Sequence, residues 1–296
     1  MRLACGFWSG VAVSDPEKAV GKLDQVGVRG VVMVPGKEGW TAAEIQRAKS
    51  VFDANGVFVC EVAQYRHGYL ASHDDTQRQE GVGAVVKSLH DAVALEACCV
   101  GVSRPWGADG DWWSEKTWTQ LCRSLGEIAR TAEELDMPLG LHPTNCGPLD
   151  SPEQLRRCVD DVASPRVQVL LDPVNMSTNR TTYNTTDFLN ATFDLLGDCI
   201  IAAHAKDVDI QTRHWVLQLD EVPIGAGHLD YETFLRRVDQ LEGEIILTIE
   251  HFRDVAVSGS TVSPNFAYLD SELENARARV YIEEVAARIG AAINCQ

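Results

Sequence analysis

The chain has 296 residues, 45% of them hydrophobic, which is enough for one large α/β domain with a sizeable core. Forty-three acidic residues against 26 basic ones give a net charge of −17, a surface that repels phosphate backbones and anionic membranes and so argues against a nucleic-acid partner. Nine scattered cysteines form no C-x-x-C pair, so neither a zinc knuckle nor a disulfide framework is expected.

Cysteines inside apolar runs point to a reducing compartment, no apolar run approaches the length of a membrane span, and the opening MRLACGFWSG is too short for a signal peptide. The expected location is cytoplasmic, with no membrane partner.

Short apolar runs alternate with amphipathic stretches from end to end. The first run, 2–8, finishes at Trp8, and a helix follows over 15–26, with Asp15 as N-cap, Pro16 at its first position and Glu17 in its first turn. A strand over 28–34 precedes a helix over 41–54 with Thr41 as N-cap candidate. The third strand, 56–63, carries Glu61, with Arg66 and His67 just beyond it. A helix follows over 76–95. After the strand at 97–103 comes SRPWGADGDWW, which contains Trp106, and then a helix over 114–136. Strand 137–142 ends on His142, and Ser151-Pro152-Glu153 repeats the helix-start pattern before a helix over 152–162. Strand 167–172 ends on Asp172, where Pro173 stops the strand, and a helix is expected over 186–196. Strand 199–204 ends on His204, a long loop spans 205–230, and Asp230 is the N-cap candidate of a helix over 231–241. The last strand, 244–250, ends on Glu250 before a helix over 267–290.

The runs are β-branched and mostly lack period-2 alternation, as parallel strands covered on both faces do. Eight strands alternating with eight helices predict a (β/α)8 TIM barrel, a single domain over 1–296. A doubly wound sheet is the rival, but GVGAVV at 81–86 lacks the third glycine of a dinucleotide turn and lies in a helical pattern.

The C-terminal ends of barrel strands converge on one face, where active sites lie. Four consecutive strands deliver His142, Asp172, His204 and Glu250 to that rim, at separations of 30, 32 and 46 residues. Each alone reads as a hydrogen-bonding or turn residue, but the four together read as a metal site. A mixed nitrogen and oxygen set suits Mn²⁺, Co²⁺, Zn²⁺ or Fe²⁺ better than Ca²⁺; Mg²⁺ stays on the list, and Mn²⁺ is favoured.

LLDPVNM, AAHAKD, VPIGAGHLDY and TIEHF together resemble the xylose-isomerase-like barrels, a superfamily of sugar isomerases and epimerases with inosose dehydratase and endonuclease IV as relatives. The match is best over 137–252. The resemblance implies metal ligands at Asp172, His204 and Glu250. The remaining ligand position, a glutamate in the epimerases, falls on His142. Inosose dehydratases place histidine there in an H-x-H run, but this sequence has HPT, with Thr144 at the second position.

What the resemblance implies is a divalent-metal-dependent isomerase or epimerase of a sugar or related hydroxy-ketone, working by proton abstraction and a stabilised enediolate. Glu250 is the base, and His142 is a ligand or a second acid/base. Substrate contacts are expected from Asn175, Lys206 and Arg213, with walls from Trp8 and Trp106 and a contribution from His67. Lys206 and Asp207 come with the H-x-K-D match and read otherwise as a structural ion pair. The partner is a small carbohydrate or polyol-derived molecule, and barrels of this kind often form homo-oligomers. An inosose-dehydratase-like lyase, a keto-sugar deglycosidase and a catalytically silent barrel subunit are the alternatives. The net charge speaks against a DNA-repair endonuclease.

Overall fold

The computed structural model describes residues 1–6, 15–35, 39–64, 69–103, 111–145, 147–211, 218–251 and 272–296. Within them the helix starts read from sequence form as expected. Asp15 accepts the amide of Lys18, Thr41 and Glu44 build a reciprocal capping box, and Ser151 and Asp230 cap the amides of Gln154 and Thr233.

The strands are β1 (Arg2–Gly6), β2 (Gly30–Met33), β3 (Phe58–Gln64), β4 (Cys99–Ser103), β5 (Leu139–His142), β6 (Val167–Leu171), β7 (Ile200–Ala205), β8 (Asp207–Gln211), β9 (Gln218–Val222) and β10 (Ile246–Ile249). Eight of them close a parallel barrel in the order β1-β10-β7-β6-β5-β4-β3-β2, the fold expected from the alternating pattern. Helices cover it: α1 (Pro16–Val26), α2 (Ala42–Ala54), α3 (Asp75–Leu95), α4 (Glu115–Glu134), α5 (Pro152–Val162), α6 (Asn179–Thr182), α7 (Thr185–Leu196), α8 (Tyr231–Asp239) and α9 (Glu272–Ile289). The main core lies between these layers, with Leu3, Val31, Val59, Val100, Leu139 and Leu247 facing the helices. Among the described residues no helix is long and apolar enough to cross a membrane.

Small side chains fill much of the lumen, among them Ala4, Cys60, Cys99 and Ala202. In β3 the strand alternation breaks. Val59 and Val62 both join the outer core, while Cys60 and Ala63 belong to the inner cluster. The register with β2 shifts at this point, Val31 pairing with Val59 and Val32 with Glu61. This bulge puts two consecutive residues, Cys60 and Glu61, between outward-facing valines, and so turns Glu61 away from the helices.

The stretch 205–230 is not the long loop expected from sequence. Its two ends form an antiparallel ribbon, β8 with β9, in which Val208 faces Glu221. Asp207 fixes the return from that ribbon. Its Oδ1 accepts the amides of Val208 and Leu229, and its Oδ2 those of Gly225 and Gly227, all at 2.9–3.0 Å. A Cβ on Gly227 would overlap Asp207 Oδ1, so the glycine is required for the carboxylate to reach the turn.

Candidate metal centre

His142 is the last residue of β5, Asp172 follows β6, His204 lies in β7 and Glu250 follows β10. All four are buried, and one ligating atom from each lies within 4.8 Å of the other three. Pro173 explains the position of Asp172: it ends the strand, and the chain turns into a short 3-10 segment, Val174–Met176, whose Asn175 amide donates to Asp172 Oδ1 at 3.0 Å. The other oxygen, Oδ2, is 3.2 Å from His142 Nε2.

His204 bridges two carboxylates. Its Nδ1 lies 2.7 Å from Glu250 Oε2 and its Nε2 lies 3.1 Å from Glu61 Oε2. The imidazole rings of His142 and His204 stand 4.7 Å apart. Burial works against a charged His204, but Glu250 and Glu61 outweigh it and push its pKa up to about 10. For His142 burial dominates, over the hydrogen bond to Asp172, and lowers the pKa, which keeps the ring neutral. Glu250 is held down at about 2, since His204 and Lys206 outweigh its burial; Asp172 is depressed in the same way by Lys206 and His142.

Lys206 enters the cluster from the end of β7. Its Nζ is 3.0 Å from Glu250 Oε2, 3.1 Å from Asp172 Oδ2 and 3.0 Å from Asn175 Oδ1. It therefore contacts the carboxylates of the site, while Asp207 serves the turn, and the two form no ion pair with each other. Glu221, on β9, comes within 3.7 Å of Lys206 Nζ, and burial pushes its pKa up to about 7. Sequence reasoning did not single out Glu221, because its position depends on the ribbon.

The donors suit a divalent ion. Two imidazoles and two carboxylates of four different strands converge, a third carboxylate backs the ring of His204, and Glu250 Oε1 is buried with no hydrogen-bond partner among the described residues. Metal binding at His204 Nδ1 requires loss of the proton shared with Glu250. Asn175 and Lys206, read from the sequence as substrate contacts, stand in this cluster against His142, Asp172 and Glu250. Trp8, His67, Trp106 and Arg213 lie outside the described residues, as does Arg66.

A model of the xylose isomerase-like TIM barrel family matches residues 20–279. The chain belongs to that family. No curated protein matches it significantly. Among solved structures it is similar to D-psicose 3-epimerase with D-tagatose from Clostridium cellulolyticum H10, at 14% identity and a TM-score of 0.73, covering 99% of this chain and 100% of the other. An L-ribulose 3-epimerase aligns at 16% identity and TM-score 0.73 over 97% and 95% of the two chains. The IOLI protein with a bound zinc atom aligns at 15% identity and TM-score 0.72 over 98% and 99%.

Proposed function

We propose that this barrel is a divalent-metal-dependent isomerase or epimerase of a sugar or related hydroxy-ketone, with His142, Asp172, His204 and Glu250 as ligands. Two of the similar structures are, by their names, ketose epimerases, and a third, the IOLI protein, binds zinc. The four side chains would hold a cation, which when bound would supply positive charge for polarising a substrate carbonyl.

The observation that carries the reading is the division of labour within Glu250. Its Oε2 is engaged by His204 and Lys206, while Oε1 is buried and has no hydrogen-bond partner among the described residues, which leaves it as the acceptor for the α-proton. The depressed pKa keeps that carboxylate ionised. His142 stands where a second carboxylate would serve two-base epimerisation. A single carboxylate that removes and returns the proton on one face favours isomerisation, with Asn175 orienting a substrate oxygen.

The test is hydrogen exchange. Metal-loaded protein is incubated with a panel of ketohexoses in D₂O and followed by proton NMR. Deuterium entry at the carbon beside the carbonyl is expected in the wild type, reduced on the order of 10²–10⁴-fold in Glu250→Gln. Undiminished exchange in that variant refutes the assignment. Loss of water from an inosose, with no ketose exchange, would transfer the site to the lyase reading.

A further inference from the structure

Lys206 is an unusual neighbour for a cation site. It is 1% exposed, and its ammonium contacts Glu250 Oε2 and Asp172 Oδ2, oxygens that also face the two histidines. The backbone cannot withdraw it. Tyr231 donates its hydroxyl to the Lys206 carbonyl at 2.7 Å, and the next residue is Asp207, anchored to four amides of the turn. A side chain fixed at its root therefore has only its four methylenes with which to move. Among the described residues one further carboxylate lies within 4 Å of it: Glu221 Oε1, 3.7 Å from Nζ and carried by a ribbon that the same Asp207 clamp holds in place.

The charges define the consequence. Asp172 and Glu250 together carry two negative charges; His204 gives up the proton it shares with Glu250 on coordination, so Lys206 is the cation that remains to neutralise one of them. A dication arriving at the same oxygens meets a fixed positive charge about 3 Å from two of its ligands, in a buried setting where screening is weak. A buried ammonium also needs a carboxylate partner of its own.

On the metal-site reading above, we propose that Lys206 is an internal cation that competes with the metal for Asp172 and Glu250, and that Glu221 takes over its ammonium when the metal binds. Lys206 thus sets the affinity of the site, and the ribbon supplies the residue that makes exchange feasible. Neither role follows from the ligand set itself.

The experiment is calorimetric titration of MnCl₂ into chelator-treated full-length protein, as wild type, Lys206→Met, Glu221→Gln and the double variant. The expected result is binding at least about tenfold tighter in Lys206→Met and several-fold weaker in Glu221→Gln. In the double variant the Glu221→Gln effect should vanish, because no ammonium is left to rehouse. Equal or weaker binding in Lys206→Met overturns the competition. A Glu221→Gln effect that persists in the double variant overturns the transfer.

Lys206→Met leaves two buried carboxylates without their ammonium, so its melting is recorded with and without Mn²⁺. Folding only with the metal present upholds the proposal, since the ion then replaces the ammonium. If Lys206→Met folds under neither condition, Glu221→Gln decides: weaker binding upholds the proposal and unchanged binding overturns it. Binding in Lys206→Met but not in wild type upholds the competition and refutes metal dependence of the native function. Absence of binding in all variants refutes both, whereas equal binding in wild type and Lys206→Met refutes only the inference.

Discussion

Removing Glu61 tests whether the bulge in β3 supports the metal centre. His204 presents Nδ1 to the other ligands and Nε2 to Glu61 at 3.1 Å, with both side chains almost wholly buried. A carboxylate on Nε2–H leaves Nδ1 as the lone-pair nitrogen and offsets the charge that the ring acquires on coordination. Loss of such a partner costs about 10–100-fold in affinity, or roughly 1.4–2.7 kcal/mol. One effect runs the other way. Glu61 also raises the His204 pKa, so its removal weakens the proton that competes with the metal. The dication brings twice the charge of that proton, so the loss should win, but by a margin near the lower limit.

Glu61→Ala is therefore expected to bind Mn²⁺ about tenfold more weakly. Glu61→Gln, which keeps an acceptor for Nε2–H but not the charge, should fall between it and wild type. Calorimetric titration at neutral pH measures both. An affinity in Glu61→Ala equal to or above wild type would show that the contact serves the fold alone.

Three further outcomes are expected. His142→Ala should retain markedly less metal by elemental analysis of protein purified without chelator; equal content in both would free the imidazole for acid–base work. Gly227→Ala forces a methyl group onto Asp207 Oδ1 and to 2.6 Å from Val208 O, where the clamp leaves no room to yield. Its cost of about 3 kcal/mol should lower Tm by roughly 5 °C, and a shift under about 2 °C would disprove the clamp's rigidity.

The chelated protein should also lose stability at both pH extremes. Glu250, depressed to about 2 from 4.5, contributes fully above pH 4.5, and that contribution is lost as pH falls through about 2. His204, raised to about 10 from 6.5, contributes fully below pH 6.5, and that contribution is lost as pH rises through about 10. Melting temperatures across pH should therefore plateau between about 4.5 and 6.5, and a monotonic profile would contradict the ion-pair network.

Much of this architecture was legible from residues alone, because parallel strands covered on both faces read as apolar runs and helix starts carry caps. The four proposed ligands stand out for a related reason: each polar residue interrupts an apolar run at or next to the place where a barrel strand ends. The ribbon of β8 and β9 was not legible, since its alternating polar residues look like loop until the two halves pair. Glu61 was seen as a residue of the third strand, but strict alternation places it with Val59, toward the helices. Only the register shift against β2 reverses that direction. The H-x-K-D resemblance implies a substrate contact for Lys206, whereas its contacts with Asp172 and Glu250 depend on side-chain reach, which spacing does not encode.

The bulge in β3 also bears on how such a centre can change over generations. A bulge is one extra residue in a strand, so the carboxylate behind His204 can be gained or lost by inserting or deleting a single codon, without touching any ligand or the order of the barrel strands. The proposed ligands come from β5, β6, β7 and β10 or the residues just after them, whereas the carboxylate behind His204 comes from β3, across the lumen. Selection can therefore adjust the grip on the metal independently of the residues that hold it, a separation suited to a lineage that reuses one barrel for different substrates.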